Sequence, residues 1–209
     1  MSRVFNPQDK YFKKAKKLGY RARSIFKLEE IQKKFKIFRK NMNVLDLGAF
    51  PGSWLQYARE IVGPNAKLIG VDLNMIKPLD KNTLILQADV LDDQIENLIR
   101  KNYSGKFDVI LSDLAPKTSG IHDVDHYRSM ELSQRVVYLA NIFLTDKGVV
   151  VLKVFQGSDF DKFIYEMKKR FKRVHPHTKD FGVRVNIFKP KAIRGGSFEV
   201  YVILREGKK

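Results

Sequence analysis

Two rhythms of apolar and polar residues alternate along this chain. Short unbroken apolar runs fall at residues 44–48, 67–72, 84–89, 107–113, 148–155, 183–188 and 197–204. Runs of that length, rich in Val, Ile and Leu, predict buried strands. Between them lie segments with apolar residues three and four apart, at 54–62, 94–101, 127–144 and 160–171. That spacing predicts amphipathic helices. A further helical region runs from Tyr11 to Lys40, where Ile25, Phe26, Leu28, Ile31 and Phe35 form an apolar stripe and Ser24 stands at the N-cap position. Strand and helix alternating in this way predict an α/β fold with a mostly parallel sheet.

The first apolar run breaks at Gly48 and turns through Ala49-Phe50-Pro51-Gly52 into the segment that starts near Trp54. Glycines at a strand–helix junction let a ligand approach the backbone, and the helix start offers free N–H groups. A plain turn has the same composition, so the turn alone decides nothing. It lacks the phosphate-loop Gly-Lys-Ser/Thr and the Gly-x-Gly-x-x-Gly spacing, and the latter disfavours a dinucleotide-dependent oxidoreductase. Four runs, however, carry an acid at or near their carboxyl ends: Asp46, Asp72, Asp89 and Asp113. In a parallel sheet these acids share the edge where ligands bind. Lys153 interrupts the fifth run, and a lysine inside a buried strand either snorkels or has a function.

Charge changes the picture more than composition does. The net charge is +17, split as +11 over residues 1–41, −4 over 42–161 and +10 over 162–209. Two basic ends around an acidic middle favour a polyanionic partner, with RNA or DNA first. Cysteine is absent, so neither disulfides nor cysteine-based metal sites are expected, in keeping with a reducing cytosol. The polar, basic start does not read as a secretory signal, and no run is long enough for a membrane span. Residues 115–125 read as a mobile substrate loop, and His122 and His126 read as surface loop residues with no clear third metal ligand.

Four segments together resemble one family. Asp46-Leu47-Gly48-Ala49-Phe50-Pro51-Gly52-Ser53-Trp54 resembles D-L-G-A-A-P-G-G-W, from which Phe50 and Ser53 depart. Tyr20 to Leu28 is similar to R-S-R-A-x-F-K-L, Ser112 to Pro116 to S-D-M-A-P, and Leu152 to Gly157 to V-K-V-F-Q-G. The family is the FtsJ/RrmJ-type ribose 2′-O-methyltransferases, and the resemblance runs from about Lys10 to Leu204. It implies a Rossmann-like S-adenosylmethionine-dependent methyltransferase fold: a mostly parallel seven-stranded sheet with one antiparallel strand and helices on both faces. It also implies a single domain over 1–209, with residues 1–41 as a basic helical extension facing RNA and 42–209 as the catalytic core.

By the same resemblance the catalytic set is Lys27, Asp113, Lys153 and Glu199. The segment before the last strand carries Ile193 where the family usually has serine, so local RNA contacts differ there. S-adenosylmethionine is expected against Gly48, Pro51, Gly52, Trp54, Asp72, Leu73, Asp89, Val90 and Asp113. Asp72 suits the ribose hydroxyls, Asp89 the adenine amine, Val90 a ring nitrogen through its N–H, and Trp54 a pocket wall. S-adenosylhomocysteine is the product, and no metal is required. For Lys153 to act as a base toward a ribose hydroxyl, its pKa must lie well below the free value of about 10.4; otherwise it steers the hydroxyl.

The expected substrate is the A-loop uridine of 23S ribosomal RNA in the 50S subunit, held by basic residues of 1–41 and 162–196. The expected enzyme is cytoplasmic, monomeric and independent of membranes. A transfer RNA anticodon-loop methyltransferase and a non-catalytic RNA-binding protein on the same scaffold are the alternatives.

Overall fold

In a computed structural model of the chain, which describes residues 9–174 and 183–206, every apolar run becomes a strand of one sheet. The strands are β1 (Val44–Leu47), β2 (Leu68–Asp72), β3 (Thr83–Gln87), β4 (Phe107–Ser112), β5 (Leu144–Phe155), β6 (Val183–Phe188) and β7 (Glu199–Glu206). The helices are α1 (Lys10–Lys17), α2 (Ile25–Phe35), α3 (Ser53–Val62), α4 (Ile95–Asn102), α5 (His122–Phe143) and α6 (Phe160–Val174).

The sheet order is β3-β2-β1-β4-β5-β7-β6. β3 through β5 run parallel, and β7 lies antiparallel to both β5 and β6. The order reverses between β1 and β4, which makes the carboxyl ends of these two strands the place for a ligand crevice. Because β7 runs the other way, its amino end, with Glu199, arrives at that same edge.

Apolar side chains cover both faces of the sheet. On one face α4, α5 and α6 pack through Ile95, Ile99, Val136, Phe143, Phe163 and Met167 onto Leu45, Ile110 and Leu152. On the other, α2 and α3 pack through Leu28, Ile31, Leu55 and Val62 onto Val44, Val109 and Ile203. Each fully buried Leu or Ile contributes about 1.5–3 kcal/mol relative to exposure. α2 is therefore a layer of the core, not part of an extension ending at residue 41. α1 is joined to it by a small cluster of Ala15, Ile25, Phe26 and Ala192. Residues 1–8, 175–182 and 207–209, which carry part of the expected basic ends, lie outside the described residues.

The structure corrects several local expectations. Ser24 precedes α2 but makes no side-chain cap; its hydroxyl meets that of Ser53 at 2.9 Å. The expected loop at 115–125 ends at Ile121, because α5 begins at His122. Asp125, in the first turn of α5, accepts hydrogen bonds from the Ser119 N–H at 2.7 Å and the Ser119 hydroxyl at 2.9 Å, which braces the remaining loop. His126 is fully buried, not a surface residue. Its Nδ1 lies 2.7 Å from the Phe155 carbonyl, and Gly157 leaves room for the ring, since a Cβ there would stand 2.3 Å from it. Among the described residues no helix is long and apolar enough to cross a membrane.

Candidate active site

The carboxyl ends of β1, β2, β3 and β4 open onto a cavity of about 700 Å³. That volume is in the range of small-molecule sites. Six residues expected around the cofactor line it: Gly48, Asp72, Leu73, Asp89, Val90 and Asp113. Leu114, Pro116, Arg128 and Glu131 add a wall that strand-end reasoning did not anticipate. Gly48 has φ 80°, a left-handed conformation that favours glycine. Its bare Cα also faces Leu114, whose side chain a Cβ would meet at 2.7 Å. Asp72 accepts the Phe50 N–H at 3.0 Å and the Asn74 N–H at 2.8 Å. Those bonds orient its carboxylate and leave lone pairs for a ligand.

Pro51, Gly52 and Trp54, also expected there, are not among the residues that line this cavity. The Phe50–Pro51 peptide is cis, and Gly52, with φ 100°, faces Arg21. Arg21 donates to the carbonyls of Pro51 at 3.3 Å and Lys77 at 2.7 Å. Gly52 thus gives room to a guanidinium that ties the turn to the loop after β2. Trp54 is buried on the opposite face, where its indole N–H donates to the Ser24 carbonyl at 2.9 Å and its ring packs on Tyr201. An amphipathic pattern shows that a residue is buried but not which layer it faces.

Asp113 follows the last residue of β4 and gathers the expected catalytic set. Lys153 Nζ lies 3.0 Å from Asp113 Oδ1 and donates to the Asp113 carbonyl at 2.5 Å. Lys27 Nζ, from the first turn of α2, lies 2.7 Å from Glu199 Oε1 and 3.9 Å from Asp113 Oδ1. Tyr201 completes the group by donating its hydroxyl to Asp113 Oδ1 at 2.6 Å. Sequence reasoning missed Tyr201, although it stands two residues after Glu199 and hence on the same side of β7. It is also the register partner of Lys153.

The electrostatics follow from these contacts. Burial alone would raise the Asp113 pKa, but Lys153, Lys27 and the Tyr201 hydroxyl together hold it below the ordinary carboxylate value. Tyr201 is pushed well up, first by burial and then by the neighbouring charges of Asp113 and Glu199. Among the described residues, no cluster of three or more His, Cys, Asp or Glu side chains could hold a metal ion.

Asp113 belongs both to the cavity wall and to the Lys27–Lys153–Glu199 cluster, so a small molecule in the cavity and an acceptor at the lysines would meet beside it. The strand order and this edge define a Rossmann-like methyltransferase. The FtsJ-like methyltransferase family matches residues 20–206, and the chain belongs to that family. A ribosomal RNA large subunit methyltransferase E from Bdellovibrio bacteriovorus is 42% identical over 201 residues, covering 96% of this chain and 97% of that protein. The protein of the same name from Methanothrix thermoacetophila is 43% identical over 202 residues, with 97% and 72% covered. Among solved structures, one reported as a ribosomal RNA methyltransferase from Plasmodium falciparum is similar at a TM-score of 0.74 and 26% identity, covering 90% of this chain and 98% of that one.

Proposed function

We propose that this protein transfers a methyl group from S-adenosylmethionine to a ribose 2′-hydroxyl of large-subunit ribosomal RNA. The observation that carries the reading is Asp113, which joins a small-molecule cavity to a paired set of lysines and carboxylates. The names of the relatives and the two basic chain ends support RNA as the acceptor. The finer assignment is the A-loop uridine, as the family resemblance implies.

The residues present fit the cofactor. Asp72 and Asp89 place carboxylates at adjacent strand ends, with Val90 buried next to Asp89. Asp72 would take the ribose hydroxyls and Asp89 the adenine amine, with Gly48 on the cavity wall for the methionine part. When bound, S-adenosylmethionine supplies an electrophilic methyl group on a sulfonium, and S-adenosylhomocysteine is left. Lys153, paired with Asp113, orients the acceptor hydroxyl, and the hydroxyl proton leaves to water as the new O–C bond forms. Asp113 and Tyr201 fix Lys153 in place, and the Lys27–Glu199 pair positions the acceptor ribose. Holding the two reactants in line contributes much of the rate.

Transfer of tritiated methyl groups to undermodified 50S subunits, free 23S RNA and total transfer RNA tests the assignment. Incorporation into the ribosomal substrates, mapped to a ribose 2′-oxygen, is the expected result. Label found only in transfer RNA would replace the substrate by an anticodon-loop nucleotide.

A further inference from the structure

A second, smaller cavity of about 170 Å³ adjoins the Lys27–Glu199 pair. Arg23, Ser24, Lys27, Arg194, Ser197 and Glu199 line it. Its only carboxylate, Glu199, is already engaged by Lys27 at 2.7 Å. The guanidinium groups of Arg23 and Arg194 therefore border this space with no carboxylate of its lining to pair with, and Asp9, outside the lining, reaches both.

The chain itself places an anion against these guanidiniums. Asp9 Oδ2 pairs with Arg23 Nη1 and lies 3.9 Å from Arg194 Nε, while its other oxygen accepts the Tyr11 N–H at 3.0 Å as the N-cap of α1. Its side chain is only 13% exposed, and that of Arg23 only 15%. The arginines are held from beneath. Arg23 donates to the Ala192 carbonyl, and Glu30 accepts the N–H groups of Lys191 at 2.7 Å and Ala192 at 2.9 Å, which fastens the loop carrying Arg194 to α2. Burial, and then the nearness of Arg194, lower the pKa of Arg23. An anion at this spot relieves that crowding.

Guanidinium forks match carboxylate and phosphate oxygens alike. We propose that this seat receives a backbone phosphate of the RNA next to the acceptor nucleotide, and that Asp9, which pairs with the same two guanidiniums in the free protein, gives them up when the RNA binds. The proposal rests on the RNA reading above and adds to it a defined contact and an internal competitor. Phosphate contacts set register without reading sequence. A phosphate held here would place the adjoining ribose at Lys27 and Lys153, the step that selects one hydroxyl from many.

The seat predicts effects of opposite sign for two charges that pair in the free protein. The probe is a fluorescein-labelled, unmodified A-loop hairpin transcript, titrated by anisotropy across a range of salt. Arg194→Ala should weaken binding roughly tenfold and reduce the salt slope by about one. Asp9→Asn retains a capping side chain, removes the competing charge, and should tighten binding about two- to fivefold. In methyl transfer both changes fall on KM for RNA. A hairpin with a neutral methylphosphonate beside the acceptor should lose about as much affinity for the wild type as Arg194→Ala does, and lose no more with that variant. If Asp9→Asn weakens binding or leaves it unchanged, or if Arg194→Ala binds like the wild type, the seat is overturned and the Asp9 contacts only anchor α1. If no RNA is methylated yet the two variants still shift binding in opposite directions, the seat stands and the catalytic reading falls.

Discussion

Asp46 in β1 and Asp113 at the end of β4 lie on neighbouring strands, and the structure treats them in opposite ways. Asp46 is fully buried, and neither of its oxygens has a hydrogen-bond partner among the described residues. Burial, and then the charges of Asp113 and Asp72, raise its pKa well above the ordinary value. Asp113 is less fully buried, with its side chain 20% exposed on the cavity; Lys153, Lys27 and Tyr201 surround it, and its pKa falls. The difference shows that the interior alone drives a carboxyl toward its neutral form. Asp113 is held in its charged form because a lysine from β5, a lysine from α2 and a tyrosine from β7 converge on it.

The comparison can be broken at its strongest point first. Lys153→Ala removes the closest cation, and methyl transfer should fall roughly 10²- to 10⁴-fold while calorimetric affinity for S-adenosylmethionine stays near that of the parent. Near-normal turnover would take Lys153 out of the chemistry. Asp113→Asn should come next. It leaves two lysines without their shared acid and should lower stability by about 3 kcal/mol at pH 7 in urea denaturation. Because the native Asp113 pKa is depressed, its contribution is present above the unfolded-state value near pH 4 and is lost as pH falls through the native value. The gap between parent and variant should therefore close in acid.

Tyr201→Phe removes one hydrogen bond from Asp113 and nothing from the apolar packing. A loss of about 1–2 kcal/mol in the same denaturation assay is expected. Asp46→Asn sharpens the contrast from the other side. A raised native pKa means that the carboxyl costs stability as pH rises above the unfolded-state value near 4. The variant should match the parent near pH 4 and be about 1 kcal/mol more stable at pH 7–8. A destabilised variant at neutral pH would show that Asp46 has a partner in solution.

Much of this edge was legible before any coordinates. The runs containing Val44, Leu68, Phe107 and Val183 become strands close to where the apolar pattern puts them, and the acids at 72, 89 and 113 lie on one cavity. What the pattern hid is long-range. Tyr201 reads as one more apolar strand residue, and only the antiparallel pairing with Lys153 reveals its hydroxyl at Asp113. Residues 122–125 carry no apolar stripe, so periodicity starts α5 five residues late, at Tyr127 instead of His122. Arg21 and Arg23 count in the sequence as basic surface. In the structure one ties together the glycine turn and the loop at Lys77, and the other faces Asp9. Net charge counts residues, whereas their destinations depend on packing.

The reversed strand β7 also bears on how the protein is made. Strands β1 to β5 with their helices leave the ribosome before β7, because the chain emerges from its N-terminal side during synthesis. At that stage the cavity of Gly48, Asp72, Asp89 and Asp113 has all its lining residues. Lys27 has no Glu199, Asp113 has no Tyr201, and β5 presents an unpaired edge that invites aggregation until β7 covers it. A nascent chain stopped before residue 199 would carry every residue of that cavity but lack the Glu199 and Tyr201 contacts. Synthesis of the last strand both joins β5 to β6 and completes the cluster around Asp113.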